Sequence, residues 1–244
     1  MSDLVVIVPS RGRPQAVAEL AAAFRETCVT NPQLVFAVDE SDPVRDEYTE
    51  QMMDANGPDV LLGVMSLDST SMVEALNKAA RATLARPMNA LVGEPKVIAF
   101  MGDDHRPRTR GWDAAYLAAL AEKPGLVYGN DLLQGANLPT QVAMSAEVVR
   151  ALGHMAPPVL THLYVDNYWL QLGRAADCIT YLPDVIVEHL HPVARKAEWD
   201  EGYKRVNDSA MYERDAAAFA AYWSEHGPGD VAKVRDALSV AARG

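Results

Sequence analysis

Cysteine is scarce in this sequence, and the usual marks of secreted and membrane proteins are missing as well. The chain has two cysteines, Cys28 and Cys178, with no CxxC spacing, so buried free thiols are expected rather than a disulfide framework or a cysteine metal site. No apolar run approaches the ~20 residues of a spanning helix, and the acidic start is unlike a signal peptide. These absences predict a soluble protein of a reducing cytoplasm, without membrane insertion.

Basic residues are few: 22 Lys and Arg stand against 33 Asp and Glu, a net charge of −11. A field of that sign opposes tight nonspecific binding to nucleic acids or anionic membranes. It leaves room for a local basic pocket, and residues 105–110, HRPRTR, are locally basic. This run fits either a solvated loop or a surface that meets an anionic acceptor, DNA included.

Short apolar runs alternate with helical patterns over the first hundred residues. Four strands are predicted, at residues 4–8, 34–38, 60–65 and 97–101. Continuous apolar strands that alternate with helices indicate a parallel sheet covered on both faces, and such sheets bind ligands beyond the carboxyl ends of their strands. The polar residues that follow the strands are therefore expected to converge on one crevice.

The second half of the chain is less regular. A helix is predicted over residues 163–172, strand material over 179–188, and two C-terminal helices separated by Gly227-Pro228-Gly229. The pattern fits one α/β core over residues 1–192, with a loop and helical extension over 193–244 packed on it.

A glycine and two carboxylates end the fourth strand, in the segment FMGDDH that includes Asp103 and Asp104. Mg²⁺ and Mn²⁺ take oxygen ligands, usually one or two carboxylates, so this layout indicates either a cation site or an ordinary acidic turn. His189 and His191 follow a late strand and share one face of an extended segment. Either histidine would complete a metal shell begun by Asp104.

Asp166 precedes an apolar helical stretch in HLYVDNYWLQLG. A carboxylate there would serve as a general base that takes a proton from an acceptor hydroxyl. The alternative is structural, because aspartate at the start of a helix is a good N-cap.

Taken together, these motifs resemble those of GT-A-fold glycosyltransferases, most closely the large inverting family two. The resemblance covers roughly residues 4–192 and rests on the order of VIVPSRGRP, VDESD, FMGDDH, GWD, VDNYW and EHLHP. It implies an α/β fold with a Rossmann-like nucleotide-binding part and a mixed, mostly parallel sheet flanked by helices. It also implies an enzyme of a compact bacterial or bacteriophage type, in the cytoplasm of the cell or of the phage's host.

The resemblance implies the reaction and its cofactor. A sugar would move from a nucleotide-diphosphate donor, with UDP-sugars favoured, to an acceptor hydroxyl by inverting direct displacement, with Asp166 as the catalytic base. Mn²⁺ or Mg²⁺ would be held by Asp104 with His189 or His191, in a Gly-Asp-Asp-His motif that replaces the plain Asp-X-Asp.

Further positions are assigned by the same resemblance. The nucleotide would contact Pro9, Ser10, Arg11, Arg13, Asp39, Asn77, Asp103 and Lys196. The donor and acceptor pocket would be lined by Trp112, Asn130, Asp131 and Trp169. In this scheme Asp39 accepts a hydrogen bond from the base, and Asp103 lies near the ribose or donor sugar. Arg195 would add positive charge beside Lys196, and Trp169 is either a stacking wall or a core residue.

The acceptor is left open as a glycan, a small molecule, a protein or a modified DNA base, and a homo-oligomer is possible. Two other functions fit less well. A nucleotidyltransferase normally carries a glycine-rich phosphate loop with a lysine, whereas PSRGRPQ has one glycine and no lysine. A catalytically inactive protein that binds sugars or a partner has no need of the acidic pair, Asp166 and the histidines together.

Overall fold

Four parallel strands form one half of the sheet in the computed structural model, which describes residues 3–57, 60–85, 94–191 and 208–241. These strands are β1 (Leu4–Ser10), β2 (Gln33–Asp39), β3 (Leu61–Leu67) and β4 (Val97–Phe100). They lie in the order β3-β2-β1-β4, as β-α units produce. The connecting helices are α1 (Ala16–Thr27), α2 (Arg45–Ala55) and α3 (Met72–Ala85). The four predicted strands are confirmed to within two residues at each end.

The other half of the sheet is mixed. Its strands are β5 (His105–Pro107), β6 (Leu126–Asn130), β7 (Val142–Ser145) and β8 (Ile179–His189). Its helices are α4 (Trp112–Glu122), α5 (Ala146–Leu152), α6 (Val165–Ala176) and α7 (Ser209–Ala241). Strand β7 runs antiparallel between β4 and β6, β8 runs parallel to β6, and β5 pairs antiparallel with β8. The predicted fold class, a mixed and mostly parallel sheet flanked by helices, is confirmed.

Strand direction decides where the polar strand ends meet. The pairings make β1 to β4, β6 and β8 run the same way, so their carboxyl ends lie at one edge of the sheet. That edge collects Ser10, Asp39, Asn130 and His189, which end their strands, together with the acidic turn after β4. The polar strand ends that the sequence predicts to converge therefore lie at this one edge.

The two faces of the sheet carry separate hydrophobic cores because side chains alternate along each strand. Val5 and Ile7 of β1 belong to the core built with α3, α5, α6 and α7. Leu4 and Val6 belong to the opposite core, built with α1 and α4. The protein is thus a three-layer structure with helices on both faces. None of the described helices is long and apolar enough to cross a bilayer.

Helix α7 runs without a break through Pro228, which corrects the prediction of two helices separated there. A proline inside a helix costs about 3 kcal/mol, because it removes a backbone N–H and crowds the preceding turn. Tertiary packing offsets this cost, since α7 lies against α5 and α6. The carboxylate of Asp230, just after the proline, accepts hydrogen bonds from the hydroxyls of Tyr168 and Tyr222.

The first half of the basic run is not the solvated loop that was one of its two interpretations, because residues 105–107 form β5. The pairing of β5 with β8 sets His105 opposite His189. Arg106 is buried, and its guanidinium donates to Glu19 and to two backbone carbonyl oxygens. The first cation of the run is therefore an internal residue rather than a contact for a partner.

Candidate active site

Asp104 and His189 come from segments 85 residues apart and meet at the carboxyl edge of the sheet. Nε2 of His189 lies 3.2 Å from Oδ2 of Asp104. Nδ1 of His105 lies 3.3 Å from the other oxygen of the same carboxylate. One ligand atom from each of these three residues lies within 4.8 Å of the others, which makes the group a candidate cation site.

The ring of His105 is fixed by its own hydrogen bonds. The backbone N–H of Gly102 donates to Nδ1 of His105 at 3.0 Å, so that nitrogen is an acceptor and the ring proton sits on Nε2. Nε2 faces the hydroxyl of Thr140 at 3.4 Å, and this hydroxyl donates to Asp131 at 2.8 Å. The ring also stacks on His189, with centroids 4.3 Å apart. With both nitrogens engaged, His105 supports His189 rather than offering a ligand of its own.

The charge state of Asp104 suits a cation. Burial would raise the pKa of its carboxyl group, but the hydrogen bond and the charge of His189 hold that pKa below the ordinary value. Burial lowers the pKa of His189, yet the neighbouring carboxylate raises it overall. Asp104 is therefore ionised at neutral pH, the state in which a carboxylate binds metal.

The remaining metal candidate, His191, packs edge-on against His189 with ring centroids 5.1 Å apart. Burial and the charge of His189 lower its pKa. It is not one of the three residues whose ligand atoms cluster, and its metal role stays a prediction. Lys196 and Arg195, predicted to add positive charge, lie outside the described residues.

Asp103 ties the loop after β1 to the acidic turn. The hydroxyl of Ser10 donates to one of its oxygens at 2.6 Å, and the guanidinium of Arg13 pairs with the other at 2.9 Å. Beneath them lies the fully buried Tyr48, whose hydroxyl bonds Ser10 at 2.8 Å and accepts the backbone N–H of Arg13 at 2.9 Å. Pro9 is part of β1, with its backbone beside β2. The predicted convergence of the first and fourth strand ends is thus observed.

Asp39 forms a second polar group at the end of β2. Its carboxylate pairs with Arg11 at 3.1 Å and accepts hydrogen bonds from the backbone of Ser41 at 2.6 Å and the hydroxyl of Ser69 at 3.0 Å. Burial would raise the pKa of Asp39, but these hydrogen bonds lower it. A charged carboxylate and a partly exposed guanidinium therefore lie side by side at this edge.

Asp166 lies inside the first turn of α6 and is not its N-cap, a position that Tyr164 occupies with φ 64°. One oxygen of Asp166 accepts the backbone N–H of Asn167 at 2.9 Å. Burial raises the pKa of Asp166, while the charge of His189 acts in the opposite direction. The carboxylate therefore interacts electrostatically with the candidate cation site.

The loop that leads into α6 is held by a residue that sequence analysis missed. Oδ2 of Asp215, in α7, accepts the backbone N–H groups of Thr161, His162 and Leu163 at 3.2, 2.9 and 2.9 Å. Asp215 is fully buried, and these donors lower its pKa against the effect of burial. Helix α7 thus fixes the entry to the helix that carries Asp166.

Two tryptophans predicted to line the donor and acceptor pocket are core residues instead. Trp112 is completely buried and makes an edge-on contact with Phe24 of α1, with centroids 5.4 Å apart. Trp169 is also completely buried, packs on Phe100, and donates its indole N–H to the carbonyl of Met155 at 2.7 Å. Trp169 sits on the inward face of the amphipathic helix α6, and Trp112, at the start of α4, belongs to the core on the opposite face of the sheet. For Trp169 this is the alternative that the sequence left open.

Three polar residues that were predicted to contact the nucleotide or the sugars make hydrogen bonds within the protein. Asn77 is buried, donates its amide to the carbonyl of Ala156 at 2.8 Å and accepts the N–H of Met155 at 2.9 Å. Asn130 accepts the N–H of Leu132, two residues on. Asp131 is 1% exposed and accepts three backbone N–H groups of the following turn as well as the Thr140 hydroxyl. Asn130 and Asp131 thus shape the turn after β6, and Asn77 joins α3 to the loop after α5.

His105 and Tyr48 are the site residues that sequence analysis overlooked. His105 was visible in FMGDDH, but its role depends on the pairing of β5 with β8, a long-range contact. Tyr48 lies in α2, and nothing in its local sequence points to the β1 loop. The one available signal was the hydroxyl of Tyr48 itself, a polar group on the apolar side of α2.

Glycosyltransferases are among the solved structures that resemble this one. A mannosyltransferase from Pyrobaculum calidifontis, in complex with GDP-Man and Mn²⁺, is 17% identical with a TM-score of 0.61, over 99% of this chain and 75% of that one. A TarS fragment from S. aureus in complex with UDP is 14% identical with a TM-score of 0.57, over 98% and 83%. Glucosyl-3-phosphoglycerate synthase from Mycobacterium tuberculosis, in complex with Mn²⁺, UDP and glucosyl-3-phosphoglycerate, is 12% identical with a TM-score of 0.57, over 89% and 78%.

Sequence comparison adds no relative: no protein-family model matches the chain, and no curated protein is significantly similar to it. The likeness is therefore one of structure. It establishes that the chain has the GT-A fold, which the resemblance of its motifs implied.

Proposed function

We propose that this chain is a metal-dependent glycosyltransferase that moves a sugar from a nucleotide-diphosphate donor, preferably a UDP-sugar, to an acceptor hydroxyl. The proposal is carried by the meeting of Asp104 and His189 at the carboxyl edge of a GT-A sheet, the edge at which α/β folds bind ligands. The structural neighbours support it, because their complexes contain GDP-Man with Mn²⁺, UDP, and UDP with Mn²⁺.

The chemistry of the ligand set fits a divalent cation. Asp104 offers an ionised carboxylate, and Nδ1 of His189 is buried with no hydrogen-bond partner among the described residues, so Nε2 facing Asp104 makes the ring's polar contact. Imidazole together with carboxylate suits Mn²⁺ better than Mg²⁺, which prefers oxygen ligands throughout. We therefore assign Asp104 and His189 to Mn²⁺. When bound, the cation neutralises charge on the donor diphosphate and on the departing nucleoside diphosphate.

The nucleotide is assigned to the ends of β1 and β2. Asp39 would accept a hydrogen bond from the base, with Arg11 beside it. Ser10 and Arg13 hold Asp103, and the Arg13 guanidinium adds positive charge next to the diphosphate position. Asn77 is left out of the donor site because its amide is bonded to the backbone inside the protein.

Asp166 is the proposed base that takes the proton from the acceptor hydroxyl. Its carboxylate is not at the N-cap position of α6, although it accepts a backbone N–H of the first turn, and its raised pKa favours proton uptake. Since an inverting displacement needs its base on the face of the sugar opposite the leaving group, we propose that the acceptor lies between Asp166 and the donor sugar.

Donor binding is the first test. Isothermal titration of UDP and GDP into the full chain, with Mn²⁺ or with EDTA, is expected to show nucleotide binding that requires the metal. The substitution Asp104→Ala should abolish that binding. As a matched control, Asp46→Ala removes a carboxylate that is 85% exposed on α2 and should change nothing. Equal UDP affinity with and without Mn²⁺, or in the Asp104 variant, would refute the assignment.

Turnover separates the proposal from its alternative. A panel of UDP-, GDP- and TDP-sugars with Mn²⁺ is expected to give slow donor hydrolysis in the absence of acceptor. Release of pyrophosphate from nucleoside triphosphates would instead identify a nucleotidyltransferase.

A further inference from the structure

A groove of about 470 Å³ lies between α3, the loop over residues 158–161 and the start of α7. Its walls carry three cationic side chains, Lys78, Arg81 and Arg214, against one carboxylate, that of Glu74. In a chain with a net charge of −11, a wall with this excess of cations is a local exception. Such a patch concentrates anions.

The cations of the groove are only partly neutralised. Lys78 pairs with Glu74 at 2.8 Å, with both side chains about one-third exposed. Arg81 is exposed and makes no ion pair within the part of the chain that the structure describes. The described residues therefore leave part of the groove's positive charge without a carboxylate partner.

The positive charge of Arg214 is also only partly neutralised. It contacts one oxygen of Asp215 through Nε and Nη2, at 3.2 and 2.9 Å. That carboxylate is already stabilised by three backbone N–H groups of the loop before α6, so it does not depend on the guanidinium alone. More than half of the Arg214 side chain is exposed.

The groove is lined by segments that lead along the chain to the proposed reaction site. On one side α3 begins just after Ser69, whose hydroxyl donates to Asp39 at 3.0 Å. On the other side Thr161 lines the groove and accepts the N–H of Val73 at 3.3 Å, and its loop leads directly into the helix of Asp166. The groove is thus lined by the segments that follow Ser69 and that lead into the helix of Asp166.

We propose that this groove binds an anionic group of the acceptor, a phosphate or a carboxylate, and so brings the acceptor hydroxyl towards Asp166. The proposal rests on the proposed function, in which the donor diphosphate belongs to Asp104 and His189. Because the donor is assigned to that site, we assign the groove to the acceptor. Its hydroxyl-bearing side chains, Ser71 and Thr161, add the neutral polar groups that phosphate and carboxylate oxygens accept from.

Inorganic phosphate is the probe that tests the groove. Titration into the full chain without metal or nucleotide should give saturable binding, and Arg81→Ala should weaken it about tenfold, the loss of one hydrogen bond between charged groups. Arg81→Lys should restore most of the affinity, because it keeps the charge. The control Arg45→Ala removes a partly exposed arginine from α2, on the opposite face of the sheet, and should leave phosphate affinity unchanged.

Two further titrations distinguish the sources of the anion. UDP with Mn²⁺ should bind the Arg81→Ala variant as it binds the unmodified chain, while Asp104→Ala should lose UDP and keep phosphate. An equal loss of UDP and phosphate in the Arg81 variant would place the donor diphosphate in the groove and overturn the acceptor assignment. Absence of saturable phosphate binding, or no effect of Arg81→Ala, would also overturn it. Failure of metal-dependent UDP binding alone would refute the proposed function and leave the groove's affinity standing.

Discussion

Asp104, His105 and His189 lie close together at the carboxyl edge of the sheet. Their hydrogen bonds indicate which of them can bind a cation and which supports the others. Asp104 and His189 face each other, whereas both nitrogens of His105 are engaged, with Gly102 and Thr140. His105 is therefore a positioning residue, which orients His189 by stacking on its ring. Groups that orient metal ligands typically change metal affinity by 10–100-fold, less than the ligands themselves.

This division predicts an order of Mn²⁺ affinities. Asp104→Ala and His189→Ala should abolish measurable binding, while His105→Phe, which keeps an aromatic ring against His189, should weaken it about tenfold. The measurement is titration of Mn²⁺ followed by the electron paramagnetic resonance of the free ion, so it does not depend on turnover. If His105→Phe removes binding as completely as His189→Ala, then His105 is itself a ligand.

Asp166 is expected to act on the rate rather than on donor binding. Asp166→Asn should lower kcat about 10²–10⁴-fold, the usual contribution of a general base, and leave the affinity for UDP with Mn²⁺ unchanged. The control is Asp177→Asn at the other end of the same helix, where the side chain is 94% exposed. A loss of less than tenfold in the Asp166 variant would contradict the assignment of this residue as the base.

His154 makes stability depend on pH. Burial lowers its pKa to about 4, and since the Tyr222 hydroxyl donates to Asp230, His154 must donate to Tyr222 in its neutral form. The unfolded chain takes up this proton below pH ~6.5, the folded chain only near pH 4, so the unfolding free energy falls on acidification between these values, by at most about 1.4 kcal/mol per pH unit.

Substitution isolates the contribution of this histidine. His154→Gln, which keeps an N–H donor and does not titrate, should flatten the pH dependence of urea unfolding between pH 6.5 and 4 by up to about 3 kcal/mol. Substituting the half-exposed His226 in the same way should leave the dependence as it is. An identical slope in the His154 variant and the unmodified chain would contradict burial in the neutral form.

At the scale of elements, a glycine allows helix α6 to approach strand β8 closely. Gly173 in α6 lies so near β8 that a Cβ there would come within 2.5 Å of the Cβ of Ile179. Gly229 in α7 has no atom within 4 Å of the same position. Both are helical, so they share the backbone cost of glycine in a helix and differ only in their surroundings.

The two glycines should therefore respond in opposite directions to alanine. Gly173→Ala should destabilise the protein by about 1–3 kcal/mol through overpacking, whereas Gly229→Ala should stabilise it by about 0.5–1 kcal/mol through helix propensity. Chemical denaturation of both variants measures this. Equal changes in the two would mean that α6 and β8 can move apart at little cost.

The strand ends could be predicted because a strand appears in the sequence as a short apolar run. The alternation of such runs with helices indicates a parallel sheet. Asp39, Asp104 and His189 follow such runs, and the topology alone brings them to one edge. Buried tryptophans were not separable from ligand-facing ones, since Trp112 and Trp169 take their burial from distant helices and strands. The helix break predicted at Pro228 was wrong for the same reason, because α7 is kept continuous by packing against other elements.

At the scale of the whole molecule, α7 belongs to the same core as the sheet. Its Val234 is completely buried in the cluster that includes Val5 and Ile7 of β1. Through Asp215 and Asp230 the helix also holds the loop before α6 and two tyrosine hydroxyls. Helix α7, which lies in the extension predicted over residues 193–244, therefore packs on the core, and the boundary at residues 192 and 193 stays a prediction.

One cooperative unit predicts one unfolding transition. Val234→Asp places an unpaired charge in the shared core and should lower stability by about 3–5 kcal/mol, or Tm by roughly 10 °C for a chain of this size. Because α7 and the sheet share that core, the whole calorimetric transition should move to lower temperature as a single peak. Val240→Asp, on the same helix but 69% exposed, should leave it in place. A peak that splits, with the main component unmoved, would instead show that α7 melts from a core that stands without it.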